Sequence, residues 1–186
     1  MSVINSKHDK LQDVAIGWLY KIGCSIFAKE VPTKNGVSDA LGIITRREKK
    51  TVYYIEAKVS RSDLICPKQK AVYQRSIGDL MEKCYVHKYA DKHIGYEPLC
   101  KSEECIACRD IQKSKYDMGI DFYYFILADG VAISDSEYPE WGILNEKGVV
   151  VRRAKRMKTP EEPKVSLIES IAHVLVYKAF GKLYLK

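Results

Sequence analysis

The stretch Tyr53-Tyr-Ile-Glu-Ala-Lys-Val-Ser-Arg-Ser-Asp-Leu64, YYIEAKVSRSDL, decides the fold. A β-forming apolar run leads straight into Glu56-Ala57-Lys58, and Ser60 with Asp63 then has the spacing of a helix-capping pair. Strand residues two apart project to one face, so Glu56 and Lys58 point together while Ile55 and Ala57 face the other way. Glu-x-Lys recurs at Glu48 to Lys50 and at Glu162 to Lys164. Those copies lie in a charged turn and among prolines, where solvated charges are expected. Only Glu56 follows an apolar run.

Upstream, VSDALGII (Val37 to Ile44) reads as a strand with Asp39 in its middle, where an unpaired carboxylate is costly. Antiparallel pairing through the charged tip Arg46-Arg-Glu-Lys-Lys50 brings Asp39 beside Glu56. Adjacent carboxylates repel, and a divalent cation relieves the repulsion. Oxygen ligands suit Mg²⁺ or Mn²⁺, which retain waters able to attack a phosphate ester. Lys58 would orient or help deprotonate that water and stabilise charge on the phosphate, and the Ala57 carbonyl is a further ligand. Spacing alone also allows a same-face ion pair on a half-exposed strand, with Asp39 hydrogen-bonded in a turn.

Farther out, Leu11, Val14, Ala15, Trp18, Leu19 and Ile22 follow helical spacing, with Ser6 as a cap and Gly23 as a stop. Cys24 to Val31 reads as a strand, and Pro32 with Asn35-Gly36 as a turn. A turn and then a helix are expected over 61–83, with Pro67 at a first helical position. DFYYFILA (Asp121 to Ala128) reads as a buried strand, followed by short strands around 131–133, 141–144 and 149–151. A closing helix places Ile168, Ile171, Ala172, Leu175 and Ala179 on one face.

With 186 residues, 46% of them hydrophobic, the chain suits a single domain over 1–186 with 84–115 as an inserted module. A net charge of +7 favours a polyanionic partner. No window is apolar enough for a membrane span and the start lacks a signal core, so a cytoplasmic protein is expected.

An acid in one strand, Glu-Ala-Lys in the next, and helices on either side resemble the PD-(D/E)XK nuclease superfamily. Within it, IEAKVSRSDL (55–64), YDMGIDFYYFILADG (116–130) and YPEWGILNEKGVVVRRAKR (138–156) are similar to the MmcB-like family of DNA-repair-related proteins. The resemblance implies an α/β fold with an αβββαβ restriction-endonuclease-like core. It also implies Mg- or Mn-dependent hydrolysis of DNA phosphodiesters by Asp39, Glu56 and Lys58. Ser38 stands where many members have proline, and the acid that some members add from the first helix would be Asp9, Asp13 or neither. Gln69 and Tyr73 match the Q-x-x-x-Y signature that RecB-like members carry on the helix after the lysine, where it can contact DNA.

Within 84–115, Cys84-x-x-His87 and Cys105-x-x-Cys108 are two close pairs of the kind that closes a tetrahedral zinc site. Cys84, Cys100, Cys105 and Cys108 form one candidate set, and His87 competes with Cys100 for the fourth place. Cys100-x4-Cys105-x2-Cys108 also matches part of an iron–sulfur spacing, and free cysteines bound to nothing are the plain alternative. Bound metal would supply folding energy that a polar insertion lacks. The run Arg152, Arg153, Lys155 and Arg156 is a candidate phosphate contact, as is the 46–50 tip. A DNA-binding or assembly module of the same fold, without turnover, is the rival function.

Overall fold

The computed structural model describes residues 3–34, 36–66, 68, 69, 72, 73, 118–157 and 159–180. Helix α1 (Val3–Lys21) is followed by strands β1 (Ile26–Thr33), β2 (Gly36–Arg46) and β3 (Lys49–Lys58), and by the single turn of helix α2 (Arg61–Leu64). Next come β4 (Phe122–Leu127), β5 (Gly142–Leu144), β6 (Val150–Arg152) and helix α3 (Glu162–Phe180). The strands form one six-stranded sheet in chain order. β1, β2 and β3 make an antiparallel meander, β4 and β5 join it in parallel, and β6 returns antiparallel. The protein is therefore mixed α/β, and the inserted cysteine segment lies outside the described residues.

Period-two alternation divides the core between the sheet's faces. Ala40, Ile55, Ala57, Tyr124, Ile126 and Leu144 pack with Leu11, Ala15, Trp18 and Leu19 of α1. Leu41, Ile43, Val52, Tyr54, Tyr123 and Phe125 point the other way and join Leu64 of α2 and Leu167 and Ile171 of α3. Tyr123 and Tyr124 are core residues, as expected. Cys24 is buried under α1, and burial pushes its thiol up to about 12.

At one end of the sheet, Asp121 and Lys164 form an ion pair of 2.9 Å in which both side chains are only 1% exposed. Asp121 accepts the Val52 N–H at 2.9 Å, and Lys164 donates to the Lys50 carbonyl at 2.8 Å. One buried charge pair thus ties α3 to the starts of β3 and β4. Lys164 had been expected to be solvated.

Several other expectations are corrected. Helix α1 begins at Val3, so Ser6 lies inside it rather than capping it. Pro32 is inside β1, opposite Val37, a position that an edge strand tolerates. Residues 131–133 form no strand. Their segment turns at Val131, and Arg61 takes the Ala132 carbonyl at 3.2 Å, a group a ladder would use. On α3 the covered stripe is Lys164, Leu167 and Ile171, with Ile168 and Val174 partly covered, while Ala172, Leu175 and Ala179 are exposed. The reach of Lys164 to Asp121 fixes that rotation. Pro67 lies outside the described residues.

Candidate active site

The site lies at the end of β3 remote from Asp121. β2 and β3 pair as far as Ala40↔Ile55 and stop there, which leaves Asp39 opposite Glu56 with no ladder between them. β2 goes on pairing with β1, and β3 with β4, so the sheet splays between β2 and β3 at the two acids. On the other side of Asp39, Glu30 of β1 has a φ of 58°, in the left-handed region, and interrupts that ladder as well.

Asp39 does the work of the missing ladder. Its Oδ2 accepts the Ala57 N–H at 2.7 Å. A strand residue points its N–H and C=O to the same side, so the Ala57 carbonyl also faces Asp39. Helix α1 holds the other oxygen: Gln12 Nε2 donates to Oδ1 at 3.1 Å, and His8 Nε2 lies 3.2 Å from it. His8 and Gln12 are one helical turn apart and share a face. Asp13 instead pairs with Lys29, and Asp9 is exposed, so the face of α1 turned to Asp39 carries no acid.

Glu56 and Lys58 are 9% and 6% exposed. Lys58 Nζ lies 3.3 Å from Glu56 Oε2 and 3.6 Å from Asp63 Oδ1. The second acid is delivered by α2, whose cap Ser60 Oγ accepts the Asp63 N–H at 3.2 Å. The Tyr54 hydroxyl donates to Glu56 Oε1. Burial raises the Glu56 carboxyl above its ordinary range, Lys58 pulls it back, and the charge of Asp39 raises it again. Burial, and then Glu56 itself, push the Tyr54 phenol well up, so it remains a donor.

A cavity of about 110 Å³ opens on these groups, lined by Glu56, Lys58, Asp63, Cys66, Gln69 and neighbouring side chains. Gln69 is 2% exposed, and its Nε2 has no hydrogen-bond partner among the described residues. A larger cleft of about 620 Å³, lined by the 128–133 and 145–147 loops, contains none of Asp39, Glu56 and Lys58.

The other predicted contacts lie elsewhere. The Tyr73 hydroxyl donates to Glu140 and its ring meets Tyr138 edge-on, so Tyr73 does not line the cavity. Arg152 spends its guanidinium on the carbonyls of Trp141, Ser134, Asp135, Glu137 and Tyr138 and stitches the 134–141 loop to β6. Arg153 and Lys155 are exposed, and Arg156 approaches Asp121 at 3.8 Å, at the opposite end of β3 from Lys58. The tip around Arg47 is remote as well, because the strand from Lys49 to Lys58 spans roughly 30 Å. Cys84, His87, Cys100, Cys105 and Cys108 lie outside the described residues. Among the described residues, no group of three or more His, Cys, Asp or Glu side chains is placed to hold a metal, and no helix is long and apolar enough to cross a membrane.

Neither a family model nor a curated protein matches the chain. Among solved structures, the SPO1766 protein of unknown function from Silicibacter pomeroyi is similar, at 16% identity and a TM-score of 0.49, over 89% of this chain and 84% of that one.

Proposed function

We propose that the chain is a Mg²⁺- or Mn²⁺-dependent deoxyribonuclease built on a PD-(D/E)XK-type core, acting in DNA repair or recombination. The observation that carries this reading is the end of the β2–β3 ladder, where Asp39 lies one position beyond the last pair, near enough for its charge to act on Glu56, and a buried Lys58 stands beside Glu56. A purely structural ion pair has no need of a second acid nearby, nor of a buried amide in the same cavity whose Nε2 has no hydrogen-bond partner among the described residues.

The donors suit a hard divalent cation: carboxylates from Asp39 and Glu56 and the carbonyl of Ala57, all oxygen. Such an ion supplies an activated water and charge neutralisation at phosphate. The chain's own groups do the rest. Asp39 is fixed by α1 and by the Ala57 N–H, so one acid is oriented before any ligand arrives. Burial raises the Glu56 carboxyl and the neighbouring Lys58 charge lowers it, so a further positive charge at this acid would favour its ionised form. Lys58 offers an ammonium to a phosphate oxygen or to the attacking water, and Gln69 Nε2 offers a second donor to the same anion. Arg153, Lys155 and Arg156 would meet the backbone of a longer substrate, whereas Arg152 and Tyr73 are committed to the fold. A structural zinc, or in its place an iron–sulfur cluster, on Cys84, Cys100 or His87, Cys105 and Cys108 completes the proposal.

Labelled single-stranded, duplex and branched DNA, incubated with Mn²⁺ or Mg²⁺, tests it. Cleavage by the wild type that disappears with the ion, and with Lys58→Ala, is the expected result. The rival, a DNA-binding module without turnover, draws on the engagement of both Asp39 oxygens in protein hydrogen bonds. It predicts tight, salt-dependent binding by wild type and Lys58→Ala alike, with no cutting.

A further inference from the structure

We infer that Asp63 is a positioning residue: a second anionic seat that keeps the Lys58 ammonium neutralised when a divalent cation takes Glu56. The inference rests on the metal-dependent reading of the site and adds a residue to it.

Lys58 is 6% exposed, and an ammonium buried to that degree needs an anionic partner. Glu56 serves, at 3.3 Å. A cation on Glu56 withdraws that partner and adds a like charge a few ångströms away. Lys58 would then be a buried charge without compensation, which would oppose binding of the ion. Asp63 Oδ1, carried by α2, already stands 3.6 Å from Lys58 Nζ. Its side chain is 36% exposed, so water stabilises its charge while Glu56 is still the main partner. The Ser60 cap and the burial of Leu64 hold the turn that carries it. A short slide of Nζ from Glu56 to Asp63 therefore keeps the ammonium paired and leaves it lining the cavity that Gln69 also faces.

The test is a double-mutant cycle on Mn²⁺ affinity, measured by calorimetry on the full chain, with the heat lost in Glu56→Gln identifying this site. Asp63→Asn is expected to weaken Mn²⁺ by about tenfold, the scale of coupling between contacting charged groups, while the melting temperature of the ion-free protein barely moves. Asp63→Glu restores the affinity. In a Lys58→Met background, Asp63→Asn has no further effect. Equal Mn²⁺ affinity in wild type and Asp63→Asn overturns the inference and leaves the nuclease reading intact. An equal loss with and without Lys58 also overturns it, because Asp63 would then act on the ion directly. A wild type that binds no Mn²⁺ at this site overturns the nuclease reading, and the inference with it.

Discussion

Asp39 stands opposite Glu56 one position beyond Ala40 and Ile55, the last paired residues of β2 and β3. Like charges directly opposite one another destabilise a strand pair, so the ladder ends where the acids begin. The Ala57 N–H is then satisfied by the Asp39 side chain rather than by the β2 backbone. The opening between the strands and the orientation of the acid are one feature.

Glu56→Gln should abolish Mn²⁺ binding at this site and, without metal, remove a pH-dependent loss of stability that the wild type shows. The folded-state pKa of Glu56 lies above its ordinary 4.5, so the folded protein holds that proton more tightly than the unfolded chain. Wild-type stability therefore declines as pH rises from 4.5 through the raised value, and the glutamine variant lacks that decline. Melting curves across pH, without added metal, check the sign.

Lys164→Met should cost about 3–5 kcal/mol, because it leaves Asp121 as a buried carboxylate without its main partner. Urea denaturation monitored by tryptophan fluorescence measures the loss.

Gly142→Ala should destabilise by roughly 1–3 kcal/mol, the range for overpacking a tight core. A Cβ there would enter the Tyr124 ring and lie 2.7 Å from the Ala154 nitrogen. β5 is a three-residue strand pinned between β4 and β6, with little room to shift. A fall in melting temperature, together with faster amide exchange at Ile143 and Leu144, is the expected signature.

Arg61 and Glu137 form a two-pronged ion pair that ties α2 to the loop after β4, with Arg61 Nη1 donating to Oε2 at 2.9 Å. Hydrogen bonds from Arg61 and from the Ser134 N–H lower the Glu137 carboxyl to about 2. Its contribution is present above the ordinary value of 4.5 and is lost as pH falls through about 2. The melting-temperature gap between wild type and Arg61→Ala should be small at pH 7, shrink in high salt and close near pH 2.

Much of the meander was legible because its punctuation is strong. The charged 46–50 tip sits between apolar runs of period two, and that register brings Asp39 to Glu56. The hold of α1 on Asp39 was not legible: His8 and Gln12 flank an apolar stripe that explains the helix without them. Lys164 sits among prolines and glutamates and reads as solvated, and only its three-dimensional nearness to Asp121 buries it. Arg152 read as a phosphate contact because a basic run looks the same whether its guanidinium meets a ligand or its own loop.

Asp39, Glu56, Ala57 and Lys58 all come from one contiguous hairpin, whereas the parallel pairing of β3 with β4 obliges the chain to make a long return between Lys58 and Phe122. Loop-closure entropy grows only logarithmically, so doubling that return costs about 0.6 kcal/mol. The hairpin's geometry is therefore insensitive to the length of the return, provided that the turn carrying Ser60 and Asp63 is kept. A change in chain length between residues 73 and 118 carries only a small entropic cost at this sheet.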